Sequence, residues 1–299
     1  MPAPDLEPLV SWGRSLGLAG GPDQVSRRPW STTARLGTVW LKACGPGARY
    51  EAALLGALLR WGAPATVLPV AVDAAQGYAA LPDGGPQLRS LGTGTAAWPA
   101  LLAEHADLQR RLQRHADDAV GLGVPDLRPE RLPEELEALL QRTPLTSDLL
   151  RAVAAVLPEV RERCAALAAG PVAPTVQHDD LHDGNLLVDA AGVARVIDWG
   201  DCSVGHPFGV LLVTLRALGH RCATPRTELA RLQDSYLEAW TDLADRSTLV
   251  ELAAHAQAVQ AVGRALSWER ALVAADEPER AAWGDPVSGW LEVLAGLDD

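Results

Sequence analysis

The chain contains 299 residues, enough for one two-lobed unit or two ordinary domains, and its hydrophobic content of 48% is typical of a globular rather than a disordered protein. Its formal net charge of −12 argues against nucleic acid and anionic membranes as partners, because nucleic acid binding is dominated by cationic contacts to phosphates. The four cysteines show no C-x-x-C spacing, so the sequence indicates neither a zinc site nor a disulfide framework.

The start of the chain and its apolar stretches bear on location. Residues 1–7 lack the basic region of a secretory signal, and the apolar stretch 210–218 is too short for a membrane span and contains Arg216. We therefore predict a cytoplasmic protein without a membrane partner. No feature of the sequence assigns an oligomeric state.

The first predicted strands, residues 25–28 and 34–40, flank a polar turn. This turn, residues 29–33, has no G-x-G-x-x-G pattern of the kind that covers phosphates in many kinases. Ser31, Thr32 and their backbone amides are candidate donors to phosphate oxygens. The same residues suit a plain hairpin turn nearly as well.

One lysine stands out in residues 37–43. Apolar Val39 and Leu41 alternate there with Trp40 and Lys42, as expected for a half-buried strand. Lys42 is the only lysine in the chain, because the other 25 of the 26 basic residues are arginines. An ammonium group therefore occurs only where a compact positive charge would suit a phosphate.

Residues 50–59 predict a helix, because their leucines recur on one face. Glu51 lies in its first turn, where the helix dipole favours a carboxylate whatever the function. Residues 77–85 then predict an apolar strand that runs into a flexible connector containing Asp83. Turn chemistry alone explains this connector equally well as an ordinary loop.

Helical periodicity dominates the remaining sequence. Leucines share one face of residues 99–116, and apolar side chains recur at helical spacing after a candidate cap at Ser147. A loop rich in proline and charge, residues 124–133, separates these two helices. Four further segments are predicted to be helical: residues 207–218, 228–243, 249–272 and 287–297.

The most informative stretch consists of residues 178–185 and 196–199, which set polar groups in the order Asp, Asn, Asp. Asp180 is placed to act as a base, and Asn185 and Asp198 supply the oxygen ligands that a Mg²⁺ bridging ATP phosphates needs. Two short apolar runs around a turn separate Asn185 from Asp198 and predict a β-hairpin. A hairpin brings the two metal ligands to the same end.

This stretch, His178-x-Asp180-Leu181-His182-x-Gly184-Asn185 followed by Ile197-Asp198-Trp199, resembles the catalytic loop of the aminoglycoside phosphotransferase and choline kinase superfamily, H-G-D-x-x-x-x-N. Asp179 replaces the usual glycine. The resemblance implies an α+β, two-lobed, protein-kinase-like fold, with a small mixed N-lobe (residues 1–85, ending in a hinge) and a large α-rich C-lobe (residues 86–299). It implies a kinase that uses ATP or GTP and Mg²⁺ to phosphorylate a hydroxyl of an aminoglycoside, an amino sugar or a similar small molecule.

The nucleotide-binding residues follow from the same resemblance. It implies an ion pair between Lys42 and Glu51 that holds the lysine for the α and β phosphates. It also implies that the connector around Asp83 is a hinge between the lobes that binds adenine. Because Pro82 has no N–H, a backbone donor to adenine there must be Asp83 or a neighbouring glycine.

Other residues near the loop receive supporting or acceptor-binding roles. Asp201 is a candidate for acceptor binding, because many relatives carry an acidic residue at this position. The relatives often continue with Gly-Asp-Pro, whereas this chain has Gly205-His206-Pro207, so the resemblance leaves the identity of the acceptor open. His178 is expected to buttress the loop, and His182 to pack or hydrogen-bond there, since Asp180 already fills the acid–base role.

Two other functions remain open. The histidines and carboxylates around Asp180 have the composition of a two-histidine, one-carboxylate metal site or a metal hydrolase, although this leaves Asn185, Asp198 and Lys42 unexplained. The second alternative is a nucleotide-binding relative without catalytic activity. Against it, none of the residues expected of an active kinase is missing: the chain has Lys42, Glu51, Asp180, Asn185 and Asp198.

The last quarter of the chain combines acidic residues with tryptophans. After Pro225, acidic side chains outnumber basic ones 14 to 6, with four tryptophans among them. Such a mixture can hold a polyamine sugar or an ammonium by charge and cation–π contact. A solvated acidic surface over a tryptophan-containing core is the simpler interpretation, because charged residues are mostly exposed and tryptophans mostly buried.

Overall fold

The computed structural model describes residues 3–63, 65–92 and 94–297, which form a small mixed lobe and a larger helical lobe. The predicted α+β, two-lobed architecture is confirmed. The outermost residues of the predicted lobes, 1–2 and 298–299, lie outside the described residues.

A five-stranded antiparallel sheet forms the N-lobe, with strand order β1-β2-β3-β5-β4. The strands are β1 (Asp23–Arg28), β2 (Ser31–Leu36), β3 (Val39–Cys44), β4 (Ala71–Asp73) and β5 (Tyr78–Pro82). Lys42 of β3 lies opposite Thr33 of β2 and Ala79 of β5. The lysine therefore stands on the central strand of the sheet.

The strand boundaries near Ser31 correct the prediction. The reversal between β1 and β2 uses only Pro29 and Trp30, so Ser31 and Thr32 belong to β2 rather than to the turn. A second reversal at Gly37, with φ +61°, splits the predicted strand 34–40 into β2 and β3. The prediction was wrong because it included the glycine in the alternating run, although a positive φ at glycine is what a tight hairpin turn requires.

Two helices complete the N-lobe. α1 (Leu6–Ser15) places Leu9 in a small apolar cluster with Leu41 of the sheet. α2 (Tyr50–Trp61) places Leu54 in the larger cluster, which continues through the C-lobe. Because α2 also carries Glu51, its packing fixes that carboxylate relative to both lobes.

Residues 83–87 connect the sheet to the C-lobe through a tightly held turn. Asp83 Oδ1 accepts a hydrogen bond of 3.1 Å from the Gly85 N–H, and the Val188 N–H donates to the Pro86 carbonyl oxygen at 2.9 Å. Gly85 has φ +90°, and a Cβ at this position would lie 2.1 Å from the Val188 carbonyl oxygen. Only glycine fits there. The predicted lobe boundary at residue 85 falls in this segment and stays a prediction.

Replacing Gly85 with alanine is expected to destabilise the chain by about 2–4 kcal/mol, because it combines left-handed strain with a backbone clash. The control is Gly192→Ala in a hairpin turn, where φ is +81° but no other atom lies within 4 Å of the new Cβ. That variant should lose only about 1–2 kcal/mol, from strain alone. Urea unfolding of both variants measures the difference, and equal losses would contradict the proposed clash.

Nine helices of the described residues belong to the C-lobe. They are α3 (Trp98–Leu112), α4 (Ala116–Gly121), α5 (Leu132–Arg142), α6 (Ser147–Ala169), α7 (Val210–Cys222), α8 (Arg226–Leu237), α9 (Arg246–Ala271), α10 (Glu277–Ala282) and α11 (Pro286–Leu294). The central helix α9 packs against α6, α7 and α11. No helix in the described ranges has the length and apolar character needed to cross a membrane.

Apart from the six-residue α4, three helices were absent from the prediction: α1, α5 and α10. Each carries a proline in its first turn, at Pro8, Pro133 and Pro278 respectively. Pro133 was interpreted as part of a loop, although proline is well tolerated in the first turn, where its missing N–H has no helical partner. The cap of α6 is Thr146, whose side chain accepts from the Leu149 N–H, and not the predicted Ser147.

Four short strands shape the centre of the cleft: β6 (Thr175–Gln177), β7 (Leu186–Val188), β8 (Ala194–Val196) and β9 (Ser203–Gly205). The predicted hairpin is present as β7 and β8, with Leu186 opposite Val196. The Ile197 N–H donates to the Asn185 carbonyl oxygen at 3.0 Å. Asn185 and Asp198 therefore leave the hairpin at the same end.

Candidate active site

Two cavities meet at the cleft between the lobes. The larger has a volume of about 750 Å³ and the smaller about 390 Å³, and both are lined by Lys42, Glu51 and Asp198. The larger cavity also reaches Asp180 and Asn185. The three shared residues therefore stand where molecules bound in the two cavities would touch.

The shared residues form a buried charged cluster. Lys42 Nζ lies 2.7 Å from both carboxylate oxygens of Glu51 and 2.6 Å from Asp198 Oδ1. Burial alone would lower the pKa of Lys42, but Asp198 and Glu51 outweigh it and hold the pKa well above its usual range. The ion pair implied by the resemblance is present, and the lysine is charged.

Asp180 lies in the larger cavity, surrounded by donors. Its Oδ2 accepts from Asn185 Nδ2 at 3.1 Å, and Arg264 Nη2 lies 3.2 Å from its Oδ1. Burial would raise the pKa of Asp180, but Arg264 and His182 outweigh it and lower the pKa to about 2. The carboxylate is therefore ionised at neutral pH and can accept a proton.

The two predicted supporting histidines contact the loop in different ways. Buried His178 donates from Nε2 to the Ile197 carbonyl oxygen at 2.8 Å, and burial lowers the pKa of its imidazole. His182 accepts the Gly184 N–H at Nδ1 (2.9 Å) and places Nε2 at 3.4 Å from Asp180 Oδ2. These are contacts that a supporting role requires.

Asn185 and Asp198 offer oxygen atoms suited to a divalent cation. The Asn185 amide nitrogen is used by Asp180, with hydrogen bonds to its carbonyl oxygen (3.0 Å) and to Oδ2, so the amide oxygen is left for a ligand. Asp198 Oδ1 contacts Lys42, whereas no described residue donates to its Oδ2. Both residues line the larger cavity, and hard oxygen donors of this kind fit Mg²⁺.

The smaller cavity corrects the assignment of the polar residues on β2. Ser31 and Thr33 line it, but Thr32 does not. Thr32 is fully buried on the other face, where its hydroxyl donates to the Pro4 carbonyl oxygen at 2.6 Å. Because successive side chains of a strand point to opposite faces, Thr32 cannot share the cavity with Ser31.

Asp83 also lines the smaller cavity, beside Pro82 and Gly85. Its backbone N–H is already used, since it donates to the Thr38 carbonyl oxygen at 3.2 Å. The Gly85 N–H donates to the Asp83 side chain. Among the described residues, the amide of Gly84 has no acceptor, but Gly84 does not line the cavity, so a backbone donor to adenine at this hinge stays a prediction.

Asp201 lines the larger cavity but is paired within the chain. Its Oδ1 accepts from the Ser267 hydroxyl, and Arg264 Nη1 lies 3.4 Å from its Oδ2. Arg264 thus spans Asp180 and Asp201 and was missed by the sequence reasoning. The signal was an arginine in the middle of an apolar helical run, residues 261–266, where a charge needs partners.

Asp179, the departure from the family loop, adopts the left-handed conformation with φ +59°. Its buried carboxylate accepts hydrogen bonds from Gln177, from Ser203 and, at 2.8 Å, from Gln260 Nε2. Burial raises the pKa of Asp179 to about 6, against the hydrogen bonds that lower it. The usual glycine adopts this φ freely, so aspartate adds both strain and a buried charge.

Asp179→Asn is expected to change how stability depends on pH. Because the folded pKa of about 6 exceeds the unfolded value near 3.8, wild-type stability from this group is fully present below pH 3.8 and is lost as pH rises through 6. The difference between the folded and unfolded pKa values corresponds to about 3 kcal/mol of unfolding free energy. Urea unfolding between pH 4 and pH 7.5 measures the free energy of unfolding of both proteins. As the pH falls, the wild type should become more stable relative to the variant. If the stabilities of the two proteins change with pH in parallel, the assignment is contradicted.

The alternative of a histidine and carboxylate metal enzyme gains no support from the geometry. In the described part of the chain, no group of three or more His, Cys, Asp and Glu side chains is placed to hold a metal ion. His178 and His206 are both buried, and His178 is committed to Ile197.

A family comparison identifies the chain. Residues 26–209, which contain β3, α2, the catalytic loop and the hairpin, match the model of the phosphotransferase enzyme family. The chain belongs to this family. No curated protein of similar sequence was found.

Solved structures show the same fold along nearly the whole chain. A choline/ethanolamine kinase family protein from Mesorhizobium loti superposes with a TM-score of 0.65 at 17% identity, covering 96% of this chain and 92% of its own. The amicoumacin kinase hAmiN, solved with AMP-PNP, Ca²⁺ and Ami, has a TM-score of 0.64 at 14% identity, with 98% and 94% covered. Aminoglycoside 2'-phosphotransferase-IIIa in its GDP complex has a TM-score of 0.62 at 15% identity, with 97% and 96% covered. The predicted kinase-like fold is therefore confirmed, and as a family member the chain is a phosphotransferase with a hydroxyl acceptor.

Proposed function

We propose that this phosphotransferase transfers the γ-phosphate of ATP or GTP to a hydroxyl of a small molecule, with Mg²⁺ as cofactor. The observation that carries the proposal is the meeting of two cavities at Lys42, Glu51 and Asp198, with ionised Asp180 on the larger side. A nucleotide in one cavity and an acceptor in the other would meet at the γ-phosphate. The acceptor class predicted from the sequence, an aminoglycoside, an amino sugar or a similar small molecule, is part of this proposal.

The smaller cavity suits the base of a nucleotide. Leu55, Leu81 and Leu187 give it apolar walls, and the hinge supplies polar backbone at one end. The cluster with Lys42 lies at the other end, where the phosphates would lie. Two similar structures were solved with GDP or AMP-PNP, which supports a nucleotide as the phosphate donor. A cytoplasmic location would supply the nucleotide and stays a prediction.

In the proposed mechanism, the residues of the chain orient the groups and handle the proton. Lys42, held by Glu51, neutralises charge on the donor phosphates, and Asp180 orients the acceptor hydroxyl in line and accepts its proton. Asn185 and Asp198 would hold Mg²⁺, which supplies charge neutralisation between the phosphates. Arg264 and His182 keep Asp180 ionised, so it is ready to take the proton.

Lys42→Met is expected to reduce turnover by about 10²-fold or more, since the charge that balances the phosphates is lost. Lys42→Arg should restore little, because a planar guanidinium fork does not replace a compact ammonium between two carboxylates. The measurement is steady-state phosphate transfer, with thermal unfolding as the check on folding. Near-normal activity of Lys42→Met would contradict the role assigned to the cluster.

The direct test of the function is a transfer screen. Purified protein with Mg²⁺ and ATP or GTP is incubated with hydroxyl compounds, and product mass and background nucleotide hydrolysis are read together. We expect a product heavier by one phosphoryl group for at least one acceptor. Tight nucleotide binding without transfer to any acceptor would instead favour the non-catalytic alternative.

A further inference from the structure

The larger cavity is lined by an excess of positive charge. Six arginines line it: Arg28, Arg89, Arg216, Arg221, Arg264 and Arg270. Outside the lysine cluster, its only lining carboxylates among the described residues are Asp180 and Asp201. The chain as a whole has a net charge of −12, so this positive region opposes the overall charge. Such a cavity concentrates anions and repels cations.

The carboxylates of this cavity are already paired. Asp180 and Asp201 both contact Arg264, while Glu51 and Asp198 contact Lys42. Each of the four already has a cationic partner within the chain, so the ammonium group of a ligand would have to share that carboxylate with an arginine or a lysine. A polycationic acceptor would therefore meet repulsion that the pairing does not relieve.

The cavity's guanidinium groups are matched only in part: Arg89 and Arg221 both form ion pairs with Asp183, whereas other arginines keep donors without an acceptor. Arg28 is exposed and forms no ion pair with any described carboxylate. Buried nitrogens of two others, Nε of Arg264 and Nε and Nη2 of Arg270, have no hydrogen-bond acceptor among the described residues. Arg264 is only 3% exposed, so its charge acts through a medium of low dielectric constant and is poorly screened.

Two of the four tryptophans that line the cavity, Trp283 and Trp290, already hold cations that belong to the chain itself. The Arg28 guanidinium lies 5.2 Å from the ring centroid of Trp283, and Arg216 and Arg264 lie 5.8 and 5.7 Å from that of Trp290. A ligand ammonium would have to compete for these rings. The stacking also restrains the arginines, which lowers the entropy cost of binding an anion.

We propose that the acceptor carries an anionic oxygen group, a carboxylate or a phosphate, beside the hydroxyl that is phosphorylated. This inference rests on the proposed function. Within the proposed acceptor class it excludes the cationic aminoglycosides and amino sugars and favours a similar small molecule that is negatively charged. The exposed arginines, Arg28 and Arg221 among them, contact the anionic group, and the buried ones supply the surrounding positive potential.

The reaction balances without a further reagent. The acceptor hydroxyl oxygen forms a bond to the γ-phosphorus, and the bond from that phosphorus to the β–γ bridging oxygen breaks. The hydroxyl proton passes to the Asp180 carboxylate and then to water. The products are the phosphorylated acceptor and a nucleoside diphosphate.

The test uses four probes that share one ring and differ in charge: glucose, glucose 6-phosphate, glucuronate and glucosamine. Each is titrated into the full chain saturated with Mg²⁺ and a non-hydrolysable ATP analogue, so that the γ-phosphate position is already filled. Tryptophan fluorescence reports binding, because Trp268, Trp283 and Trp290 line the cavity. We expect at least one anionic probe to bind about 10-fold tighter than glucose or better, and glucosamine to bind most weakly.

The two anionic probes separate the possible sources of the charge. Tighter binding of glucose 6-phosphate assigns the acceptor to the phosphate esters, and tighter binding of glucuronate assigns it to the hydroxy acids. The affinity should fall with rising ionic strength, as expected for charge recognition at a partly open site. Glucosamine binding as tightly as either anion, or no saturable binding of either anion, would overturn the proposal.

A pair of double variants localises the effect. Arg28→Gln combined with Arg221→Gln removes two cavity charges and is expected to weaken anion binding about 10-fold while leaving glucose binding unchanged. The matched control is Arg151→Gln combined with Arg231→Gln, which removes two charges from exposed surfaces of α6 and α8. An unchanged anion affinity in the cavity variant, or an equal loss in the control, would overturn the assignment.

The two proposals fail in different ways. Absence of Mg²⁺-nucleotide binding, measured before any sugar is added, would overturn the proposed phosphotransfer itself. If the nucleotide binds but glucosamine binds as tightly as the anionic sugars, only the proposal of an anionic acceptor is overturned.

Discussion

Replacing Asp198 with alanine is expected to abolish Mg²⁺-dependent nucleotide binding and to lower kcat/KM by about 10³-fold or more, because loss of metal ligation removes several kcal/mol of transition-state stabilisation. Its side chain is 44% exposed, so truncation leaves no buried cavity. It does place alanine at φ +65°, which should reduce stability by about 1–2 kcal/mol. The fold should therefore survive while metal-dependent binding does not.

Asp198→Asn is the matched variant for this prediction. Asparagine tolerates the left-handed conformation but cannot supply a second charged oxygen, so it should keep stability and still lose most of the effect of Mg²⁺. Calorimetric titration of each variant with a non-hydrolysable nucleotide, with and without Mg²⁺, provides the measurement. If both variants retain the wild-type affinity for the Mg²⁺-nucleotide, the metal assignment fails.

Asp180→Asn is expected to leave nucleotide affinity intact and to slow transfer by about 10²- to 10⁴-fold, the usual range for losing a general acid–base group. Asparagine can still hydrogen-bond the acceptor hydroxyl but cannot take its proton. A loss smaller than this range would mean that positioning dominates, because loose phosphoryl transition states need little early proton removal.

Single-turnover transfer to the authentic acceptor measures this loss without interference from product release. Because Arg264 and His182 hold the pKa of Asp180 at about 2, protonation of Asp180 should cause no loss of wild-type rate between pH 5 and pH 8. A surface variant, Asp107→Asn on α3, serves as the control for the substitution itself. An unchanged single-turnover rate in Asp180→Asn would show that this carboxylate is not the base.

The centre of the fold was predictable because its signals are local. The apolar runs on either side of the turn before Val193 predicted the hairpin, and the hairpin alone brings Asn185 and Asp198 together. The contact between Lys42 and Glu51 needed the resemblance as well, since periodicity placed each residue on its element but not the elements against each other. The catalytic and metal-binding roles of these residues stay predictions.

The misassignment of Thr32 shows how a small error propagates in a strand. Placing the turn at residues 29–33 instead of at Pro29 and Trp30 treated Ser31 and Thr32 as neighbours in one loop. In the strand they point to opposite faces, and Thr33 takes the predicted place of Thr32 beside the smaller cavity.

The charge of the larger cavity could not be predicted from the sequence, because it depends on contacts between distant segments. The last quarter of the chain is acidic, yet it contributes Arg264 and Arg270 to the cavity. Its tryptophans divide in the same way: Trp240 is fully buried in the core, while Trp268, Trp283 and Trp290 line the cavity. Composition reports the average of a segment, whereas the fold selects which of its residues face the ligand.

The central claim, that nucleotide and metal meet Asp180 between the two cavities, is tested most directly by a crystal structure of the chain with a non-hydrolysable ATP analogue and Mn²⁺ in place of Mg²⁺. Anomalous scattering locates the metal independently of the rest of the electron density. We predict a metal coordinated by the Asn185 and Asp198 oxygens, at about the 2.0–2.2 Å typical of such ions, with the γ-phosphate between Lys42 and Asp180. A metal bound elsewhere, or a nucleotide whose phosphates point away from Lys42, would contradict the account.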